Sequence, residues 1–380
     1  IARRDVVVKG PDQNVDVGAA TLDCTFDDRQ QISRALVMGT PQLPAHVSMT
    51  DFYIRGPQID FDVTTQSATV PGEGILRFYT KQDLTGQQVK EPVPVVVSWK
   101  NSMTFNGRDN TGLFSGSVRA VSQNTALDGR ELHLRFDNLP KEQITSQPAA
   151  GNDSRWIAGR VIDLLKDRTD RPKNEASAAG LSRDLRKRLV HLQVVGDGVI
   201  SSSEYEKPKP QYGPFSSLMT SIMPDVLKTP ASQPAKEDQG LLSFVRVSGP
   251  RIAIDLLNEH MVVEGEGNLL VLDYRLPTEG KEPKAATDDI ATGLASSMQS
   301  GGPSQTVFTW QNSMSYLNRR NVAVLDNNVM MKHASGSQMA MPEQVAAAMK
   351  IDPRKLASTR GRRDELTCGN LVVEFIRNRA

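Results

Sequence analysis

The chain has 380 residues, 38% of them hydrophobic and 23% charged, so it is globular and long enough for two or three domains with substantial cores. Its 45 lysines and arginines offset 44 aspartates and glutamates to a formal charge of +1. This balance argues against a nucleic-acid partner, because proteins that bind nucleic acid carry a strong positive field. No apolar run approaches the roughly 20 residues that a membrane-spanning helix needs.

Two features bear on the cellular compartment and leave it open. The chain begins with IARR in place of a methionine and an apolar signal region, which fits either a mature protein whose export signal has been removed or a fragment. Cys24 and Cys368 are too few for a disulfide framework or a structural zinc site. They are either buried free thiols, since cysteine is among the most buried residue types, or a bridge between distant parts of the chain.

Two blocks of sequence occur twice, in the same order. Residues 56–74 (GPQIDFDVTTQSATVPGEG) align without a gap with residues 249–267 (GPRIAIDLLNEHMVVEGEG), with eight identical positions. Residues 98–118 (SWKNSMTFNGRDNTGLFSGSV) align with residues 309–329 (TWQNSMSYLNRRNVAVLDNNV). Chance similarity would not preserve both order and spacing, so the sequence predicts a duplicated structural unit, which usually means a stacked architecture.

Apolar and polar residues alternate within these blocks, as in half-buried β-strands. The pattern predicts strands at 59–63, 103–105, 132–136, 252–256, 314–316 and 371–375. Turn signals such as Gly56-Pro57 and Asn106-Gly107 separate the strands. We therefore expect an all-β fold of antiparallel strands, arranged as a sandwich or an open stack.

Polar segments interrupt the strands and divide the chain. We predict a first unit over 1–137, a polar insertion over 138–187, and a second unit over 188–380 with insertions at 206–239, 278–304 and 338–365. Short helices are expected over 155–166 and 342–351. The apolar stretch 215–223 either folds as a flap onto its own sheet or contacts a membrane or a partner.

The sequence carries no catalytic or metal-binding motif. There is no HExxH, GxSxG or GxxxxGK pattern, and the histidines are scattered at His46, His133, His191, His260 and His333. The paired carboxylates Asp60 and Asp62 fit a solvated strand face equally well, and the second copy has alanine in place of the first of them. We therefore predict a protein that is not an enzyme and has no metal and no cofactor.

The order of the strands is similar to a known repeat. A strand at 101–105 is followed by a glycine-containing turn and then by residues 114–120 (FSGSVRA) and 127–134 (LDGRELHL). In the second copy, residues 326–331 (DNNVMM) and 369–373 (GNLVV) have a similar form. This succession resembles the OstA-like repeats of bacterial lipopolysaccharide-transport bridge proteins, over about half of the chain.

The resemblance implies duplicated antiparallel β-jelly-roll or sandwich repeats, stacked into an elongated open structure in the periplasm or cell envelope of a Gram-negative-type bacterium. It also implies an apolar groove that passes or shields the acyl chains of lipopolysaccharide or another lipid between membranes, in outer-membrane biogenesis. Expected partners are such a lipid and other β-jelly-roll modules, or a second copy of the chain, paired edge to edge.

The expected groove residues are the inward members of the predicted strands. They are Ile59, Phe61, Val63, Met103, Phe105, Leu132, Leu134, Phe136, Ile252, Ile254, Leu256, Met314, Tyr316, Leu371, Val373 and Phe375. The same residues would equally fill the closed core of a structural or adhesive β-repeat protein of the cell envelope, which is the alternative. A carbohydrate-active β-enzyme is a third class, but 5% aromatic residues and three tryptophans leave few platforms for stacking sugars.

Overall fold

The computed structural model describes residues 1–10, 15–28, 30, 32–49, 52–82, 84, 88–138, 187–205, 241–273, 304–335 and 361–374. The predicted helices over 155–166 and 342–351 lie outside the described residues, as do the predicted insertions apart from their margins. The last strand begins at Arg362, within the range predicted as the insertion 338–365.

The described residues are strands connected by short turns. The strands are β1 (Ala2–Gly10), β2 (Val15–Phe26), β3 (Ile32–Met38), β4 (Ala45–Met49), β5 (Phe52–Gly56), β6 (Gln58–Asp62), β7 (Ser67–Pro71), β8 (Gly74–Gln82), β9 (Gln88–Trp99), β10 (Ser102–Asn106), β11 (Thr111–Ser122), β12 (Thr125–Asn138), β13 (Lys187–Tyr205), β14 (Leu241–Asp255), β15 (His260–Glu264), β16 (Gly267–Asp273), β17 (Ser304–Trp310), β18 (Ser313–Leu317), β19 (Val322–Ser335) and β20 (Arg362–Glu374). Within these described ranges, one 3-10 turn is present, at Asn318–Arg320. Every described strand register is antiparallel, so the predicted all-β, antiparallel fold class is confirmed.

The chain divides into two compact units. Unit 1 comprises Ile1–Thr80, Pro94–Ala120 and Gly129–Gln193, and unit 2 comprises Lys81–Val93, Val121–Asp128 and Val194–Ala380. Five strands, β8, β9, β11, β12 and β13, have residues in both units. The boundaries predicted at 137 and 188, and the stacking into an elongated open structure, stay predictions.

Unit 1 has two layers of strands that share β2. Residues 16–18 of β2 pair with β4, and residues 21–26 pair with β3. The first layer continues from β4 through β5 to β8. The second continues from β3 through β6, β7 and β10 to β11. Because β2 belongs to both layers, it forms a corner of the kind by which strands of a β-sandwich change sheets.

The chain passes between the layers of unit 1 at a Gly-Pro corner. β5 ends at Gly56 and β6 begins at Gln58. A Cβ atom on Gly56 would lie 2.4 Å from the Cγ1 of Val70, so only glycine fits there. Pro57 has no N–H to leave unpaired at the point where one ladder stops and the next begins.

The core of unit 1 lies between the apolar faces of its layers. In the first layer, one row of facing residues is buried on adjacent strands: Val17, Val47, Ile54 and Leu76. In the second layer, the corresponding row is Leu22, Val37 and Ile59. Burying such aliphatic side chains is the main stabilising term for a sheet with one dry face.

Unit 2 repeats this design with longer strands. Residues 243–248 of β14 pair with β16 and residues 251–255 pair with β15, so one bent strand takes the place of β5 and β6. The bend is again a Gly-Pro pair, Gly249 and Pro250. β19 bends in the same way, because residues 322–326 pair with β18 and residues 330–335 face β17 and β20.

The bend in β19 is a bulge with two left-handed residues. Asn327 and Asn328 have φ of 65° and 50°. In β11 the equivalent positions are Gly116 and Ser117, with φ of 83° and 53°. Asparagine and glycine tolerate this conformation best, and a bulge increases the local twist that carries a strand from one layer to the next.

Candidate functional site

A buried tryptophan joins the two repeated blocks within unit 1. Trp99 donates a hydrogen bond from its Nε1 to the carbonyl oxygen of Gly72 at 3.0 Å. The Gly72 N–H in turn donates to the carbonyl oxygen of Asn101 at 2.6 Å. A Cβ on Gly74 would lie 2.4 Å from the Cζ2 of Trp99, so the indole packs directly on the backbone. We call these four residues, and their counterparts in unit 2, the tryptophan clasp.

The clasp of unit 2 has the same geometry. Trp310 Nε1 donates to the carbonyl oxygen of Gly265 at 3.0 Å, and the Gly265 N–H donates to Asn312 at 2.7 Å. A Cβ on Gly267 would lie 2.5 Å from the Cζ2 of Trp310. The two copies therefore share atomic contacts as well as residues, and the duplication predicted from the sequence is a structural one.

A second shared contact closes the other end of each repeat. Arg108 donates from its Nη2 to the carbonyl oxygen of Thr64 at 2.9 Å, and Arg319 donates to that of Leu257 at 2.7 Å. Each arginine is followed after one residue by a left-handed asparagine at 110 or 321. These residues, which are identical in the two blocks, therefore stabilise turns and corners. A role in folding accounts for their occurrence in both copies.

The apolar residues of unit 2 form two continuous rows across five strands. The first row is Ile252, Val263, Met314, Leu325 and Leu371, each facing the next on the neighbouring strand. The second row is Ile254, Met261, Tyr316, Ala323 and Val373. The first four members of each row are buried, whereas the last member, on β20, is only half-buried.

Unit 1 has equivalent rows on β3, β6, β7, β10 and β11. Ala35, Phe61 and Ala68 face one another in turn, and Phe105 continues this row on β10. Val70, Met103 and Phe114 form the neighbouring row. All of these residues are buried. At the other end of this unit, β1 places Val6 and Val8 opposite the buried Ala19 and Val17, and both of these β1 valines are half-buried.

The predicted groove residues fall into three groups. Those with at most 7% of their surface exposed are Ile59, Phe61, Met103, Phe105, Leu132, Leu134, Ile252, Ile254, Leu256, Met314 and Tyr316. Those that are half-buried are Val63, Phe136, Leu371 and Val373. Phe375 lies outside the described residues. The structure therefore brings most of the set into the interior of the units, and its use as a lipid groove stays a prediction.

The first and last strands carry apolar side chains on both faces. On β20, Leu366 and Val372 are 41% and 61% exposed, on a strand whose described register is with β19. On β1, Val7 is 60% exposed, and the described register of this strand is with β2. Exposed apolar residues on a strand edge are typical of surfaces that pair with another strand.

The two carboxylates singled out in the sequence, Asp60 and Asp62, make structural contacts. Asp60 accepts hydrogen bonds from the Arg34 guanidinium across β3 and β6, and this contact raises the pKa of Arg34. Asp62 accepts from the backbone N–H of Thr65 at 2.9 Å in the following turn. The two carboxylates therefore have separate partners. Among the residues that the structure describes, no group of three His, Cys, Asp or Glu residues is arranged to hold a metal ion.

The two cysteines are free and half-buried, on β2 and β20. Burial raises the pKa of the Cys24 thiol. His333 shares a hydrogen bond with the hydroxyl of Thr306 at 2.8 Å, and burial lowers its pKa. Among the described residues, no helix has the length and apolar character to cross a membrane.

Sequence reasoning missed one cluster, which lies in the β4–β5–β8 layer of unit 1. Arg77 of β8 faces Tyr53 of β5, and its guanidinium carbon lies 5.9 Å from the ring centroids of both Tyr53 and Tyr79. The signal in the sequence is Tyr53-Ile54-Arg55 and Arg77-Phe78-Tyr79, in which aromatic and basic residues recur at the period of two that places them on one face of a strand.

Comparison with solved structures gives a distant likeness, whereas the sequence comparisons give none. No protein-family profile matches the chain, and no curated protein sequence matches it. Among solved structures, the chain is similar to LptH, described as the LptA-homologous periplasmic component of the conserved lipopolysaccharide transport device from Pseudomonas aeruginosa. The alignment covers 32% of this chain and 76% of LptH, with 12% sequence identity and a TM-score of 0.24.

Proposed function

We propose that this chain binds the acyl chains of a lipid of the lipopolysaccharide class along the apolar interior of its β-units, in the cell envelope of a Gram-negative-type bacterium. One observation carries the proposal. The two apolar rows of unit 2 are buried over four strands and lose their cover at β20, where Leu371 and Val373 are half-buried. Apolar surface of the two rows is therefore partly exposed at this strand.

An acyl chain suits this end of the rows for a physical reason. Each buried methylene group contributes about 0.8 kcal/mol, and a saturated chain has no polar group to leave unpaired against aliphatic side chains. Leu371 and Val373 point to the same face of β20, since residues two apart on a strand share a face. A chain that lies along them would continue the row formed by Met314 and Leu325.

We also propose that this chain pairs edge to edge with another β-module or with a second copy of itself, and the edges of β1 and β20 support this. A strand edge offers unpaired N–H and C=O groups to a new strand, and natural proteins usually protect such edges with charged residues. Here the edge strands expose Val7 and Val372 among charged residues such as Lys9 and Glu374. Pairing would extend the sheet and bury these valines.

The alternative function is that of a structural β-repeat protein of the envelope with a closed core. It is favoured by Ile59, Phe61, Val37 and Ile54, which have no exposed surface and already fill the interior of unit 1. Under this alternative the half-buried residues of β20 are covered by another protein module and contact no lipid.

Substitutions on the single strand β20 distinguish lipid binding from a closed structural core. We would prepare Leu371→Ser and Val373→Ser, which change the interior face of β20, and Val372→Ser, which makes a similar change on its opposite face. Native mass spectrometry of protein from a bacterial envelope fraction would show bound lipid, and fluorescence anisotropy with labelled lipopolysaccharide would give the affinity.

If the proposal holds, the interior variants bind about fivefold more weakly or worse, because about 1 kcal/mol of apolar contact is lost, and Val372→Ser binds like the parent. Equal affinity for all three variants, or no lipid in repeated preparations, would transfer support to the closed-core alternative.

Edge pairing is tested separately by sedimentation velocity over a range of concentrations. A charged residue on an edge strand opposes pairing, so Val372→Lys is expected to reduce association, whereas Val324→Lys, on the neighbouring β19, changes a strand that has partners on both sides. A protein that stays monomeric at every concentration would overturn pairing between copies.

A further inference from the structure

The cluster around Arg77 lies on the face of the β4–β5–β8 layer that is opposite the apolar core. Ile54 and Leu76, which face each other in this layer, point to the core, and their chain neighbours Tyr53 and Arg77 therefore point to the other side. Tyr53 is nevertheless only 5% exposed. The outer face of unit 1 thus has a well-packed centre of its own.

Aromatic rings surround the guanidinium group. Its carbon lies 5.9 Å from the centroid of Tyr53 and 5.9 Å from that of Tyr79, within the range of cation–π attraction. The ring of His46, on β4, stacks on Tyr53 with centroids 6.3 Å apart and an angle of 23° between the planes. These contacts hold the arginine in place without using its hydrogen-bond donors.

One donor of this arginine is buried and unpaired. The Nε of Arg77 has almost no exposed surface and no hydrogen-bond partner in the described structure. Leaving a buried donor without a partner costs about 1–3 kcal/mol, and more for a charged group, so such a group calls for an explanation. A purely structural arginine would be expected to pair each buried donor with a carbonyl or a carboxylate.

The strand register places Asp16, the acidic residue in the same row, far from Arg77. Asp16 faces Ser48, Ser48 faces Tyr53, and Tyr53 faces Arg77, so three strand spacings separate Asp16 from Arg77. This is about 14 Å at the usual spacing between strands. Arg55 and His46, by contrast, face each other on β5 and β4 and lie on the same side of the layer as Arg77. Three basic side chains, Arg77, Arg55 and His46, therefore share this face.

The second copy of the repeat shows that the fold does not require the cluster. At the shift of 193 that aligns the copies, Arg77 corresponds to Leu270, Tyr53 to Arg246 and Tyr79 to Leu272. The clasp residues are kept in both copies, whereas all three members of this cluster change. The cluster is therefore a feature of unit 1 that the shared architecture does not explain.

We propose that the Arg77 cluster is a binding site for an oxyanion of the phosphate class. The Nε–Nη edge of a guanidinium matches two oxygens of a phosphate in a bidentate, charge-assisted contact. The phosphate would take the place of the missing partner of Nε, and the basic groups on this face would favour its charge. Because Nε has almost no exposed surface, binding requires the side chains around it to move. The site is separate from the apolar rows.

The test uses two probes, because the phosphate group has two sources. Inorganic phosphate is titrated by isothermal calorimetry, and vesicles of phosphatidylcholine with and without phosphatidic acid are tested by flotation. The key variant is Arg77→Leu, which introduces the residue that the second copy carries. Its matched control is Arg246→Leu, which removes the same charge from an exposed position of unit 2. Far-UV circular dichroism and the thermal midpoint confirm that each variant folds.

The proposal expects binding of at least one probe by the parent protein, a loss of about tenfold or more in Arg77→Leu, which corresponds to about 1.4 kcal/mol, and no change in Arg246→Leu. Arg77→Lys, which keeps the charge and loses the planar fork, should also bind more weakly and serves if Arg77→Leu does not fold.

If inorganic phosphate binds, a free anion is sufficient to occupy the site. If the protein binds only to vesicles that contain phosphatidic acid, the ligand is a lipid headgroup. If neither probe binds, or if Arg77→Leu and Arg77→Lys bind like the parent, the proposal is overturned. Because inorganic phosphate has no acyl chain, this result is independent of the lipid groove proposed for unit 2.

Discussion

Trp310 and Gly265 lie 45 residues apart in the chain, and the indole Nε1 donates to the glycine carbonyl oxygen at 3.0 Å. In the first copy the same bond joins Trp99 and Gly72, which are only 27 residues apart, at the same distance of 3.0 Å. The geometry of the clasp is therefore independent of the length of chain between its two halves. The local contacts of the glycine and the indole determine it.

Replacing the glycine under the indole should destabilise each unit. In Gly74→Ala and Gly267→Ala the new Cβ would lie 2.4 Å and 2.5 Å from the Cζ2 of the tryptophan, so the ring or the backbone must move. Overpacking of this kind typically costs about 1–3 kcal/mol. Urea unfolding followed by tryptophan fluorescence measures the loss.

Gly369→Ala is the control for this pair, because nothing lies within 4 Å of a Cβ at that position. It should leave the unfolding midpoint close to that of the parent. An equal loss of stability in all three variants would show that the clasp glycines tolerate a Cβ no worse than the exposed Gly369.

The two clasps should respond alike to loss of the indole. Trp99→Phe and Trp310→Phe each remove one hydrogen bond and leave a small cavity beside a glycine, for an expected cost of about 2–4 kcal/mol. Because the contacts match in the two copies, we expect each variant to destabilise its own unit by a similar amount. Hydrogen exchange resolved by peptide measures each unit separately, and a large difference between the copies would argue against equivalent roles.

Charges placed inside the apolar rows should prevent folding. Phe61 and Ile254 are fully or almost fully buried, and an aspartate there would bring a carboxylate into a dry interior without a partner. We expect Phe61→Asp and Ile254→Asp to lose the far-UV circular dichroism signal of β-structure. Leu371→Asp, at the half-buried end of the row, should keep it. Retention of β-structure by all three proteins would mean that water reaches the interior and solvates the new carboxylates.

Stability should depend on pH through His333. Burial lowers its pKa from the ordinary value of 6.5, so the folded protein favours the neutral ring and the unfolded chain binds the proton more readily. This contribution to stability is present above the unfolded pKa and is lost as the pH falls below it toward the lowered folded pKa. Asp364 opposes the shift and Arg362 adds to it.

The measurement is the thermal midpoint of the parent and of His333→Asn between about pH 7 and about pH 5, the range in which histidine titrates. The parent should lose more stability than the variant over this range. Parallel curves for the two proteins would show that the histidine is not destabilised in its charged form.

Both cysteines should react without prior reduction, because both are free. We expect the intact mass of the unfolded protein to increase by two alkyl groups after iodoacetamide treatment without a reductant. In the folded protein Cys24 should react more slowly than a free cysteine, because burial raises its pKa and the thiolate is the reactive form. Failure of the unfolded protein to take up label without a reductant would indicate a bridge.

The sequence was most informative where a residue is required by its immediate neighbours. Trp99, Gly72 and Asn101 could be identified from the repeat alone, because each is needed for one local contact that occurs twice. The alternation of Ile59, Asp60 and Phe61 likewise predicted which side of a strand is dry, and this side is buried. Periodicity of two carries this information directly.

The sequence could not show how deeply each side chain is buried or which residues it contacts. Leu371 alternates just as Ile59 does, but it lies on the last strand of its row and is half-buried. Tyr53 and Arg77 meet only because β5 pairs with β8, and neither lies within a recognisable motif. Strand pairing between distant segments determines both outcomes, and local pattern does not encode it.

Strands that bend between two layers also make errors in strand register more costly during folding. β14 and β19 each take part in two layers, with a corner at Gly249-Pro250 and a bulge at Asn327-Asn328. If such a strand slipped by one position, its side chains would change faces in both layers at once. Misaligned forms would therefore lose apolar burial twice, and the two layers of a unit should form and melt as one cooperative step.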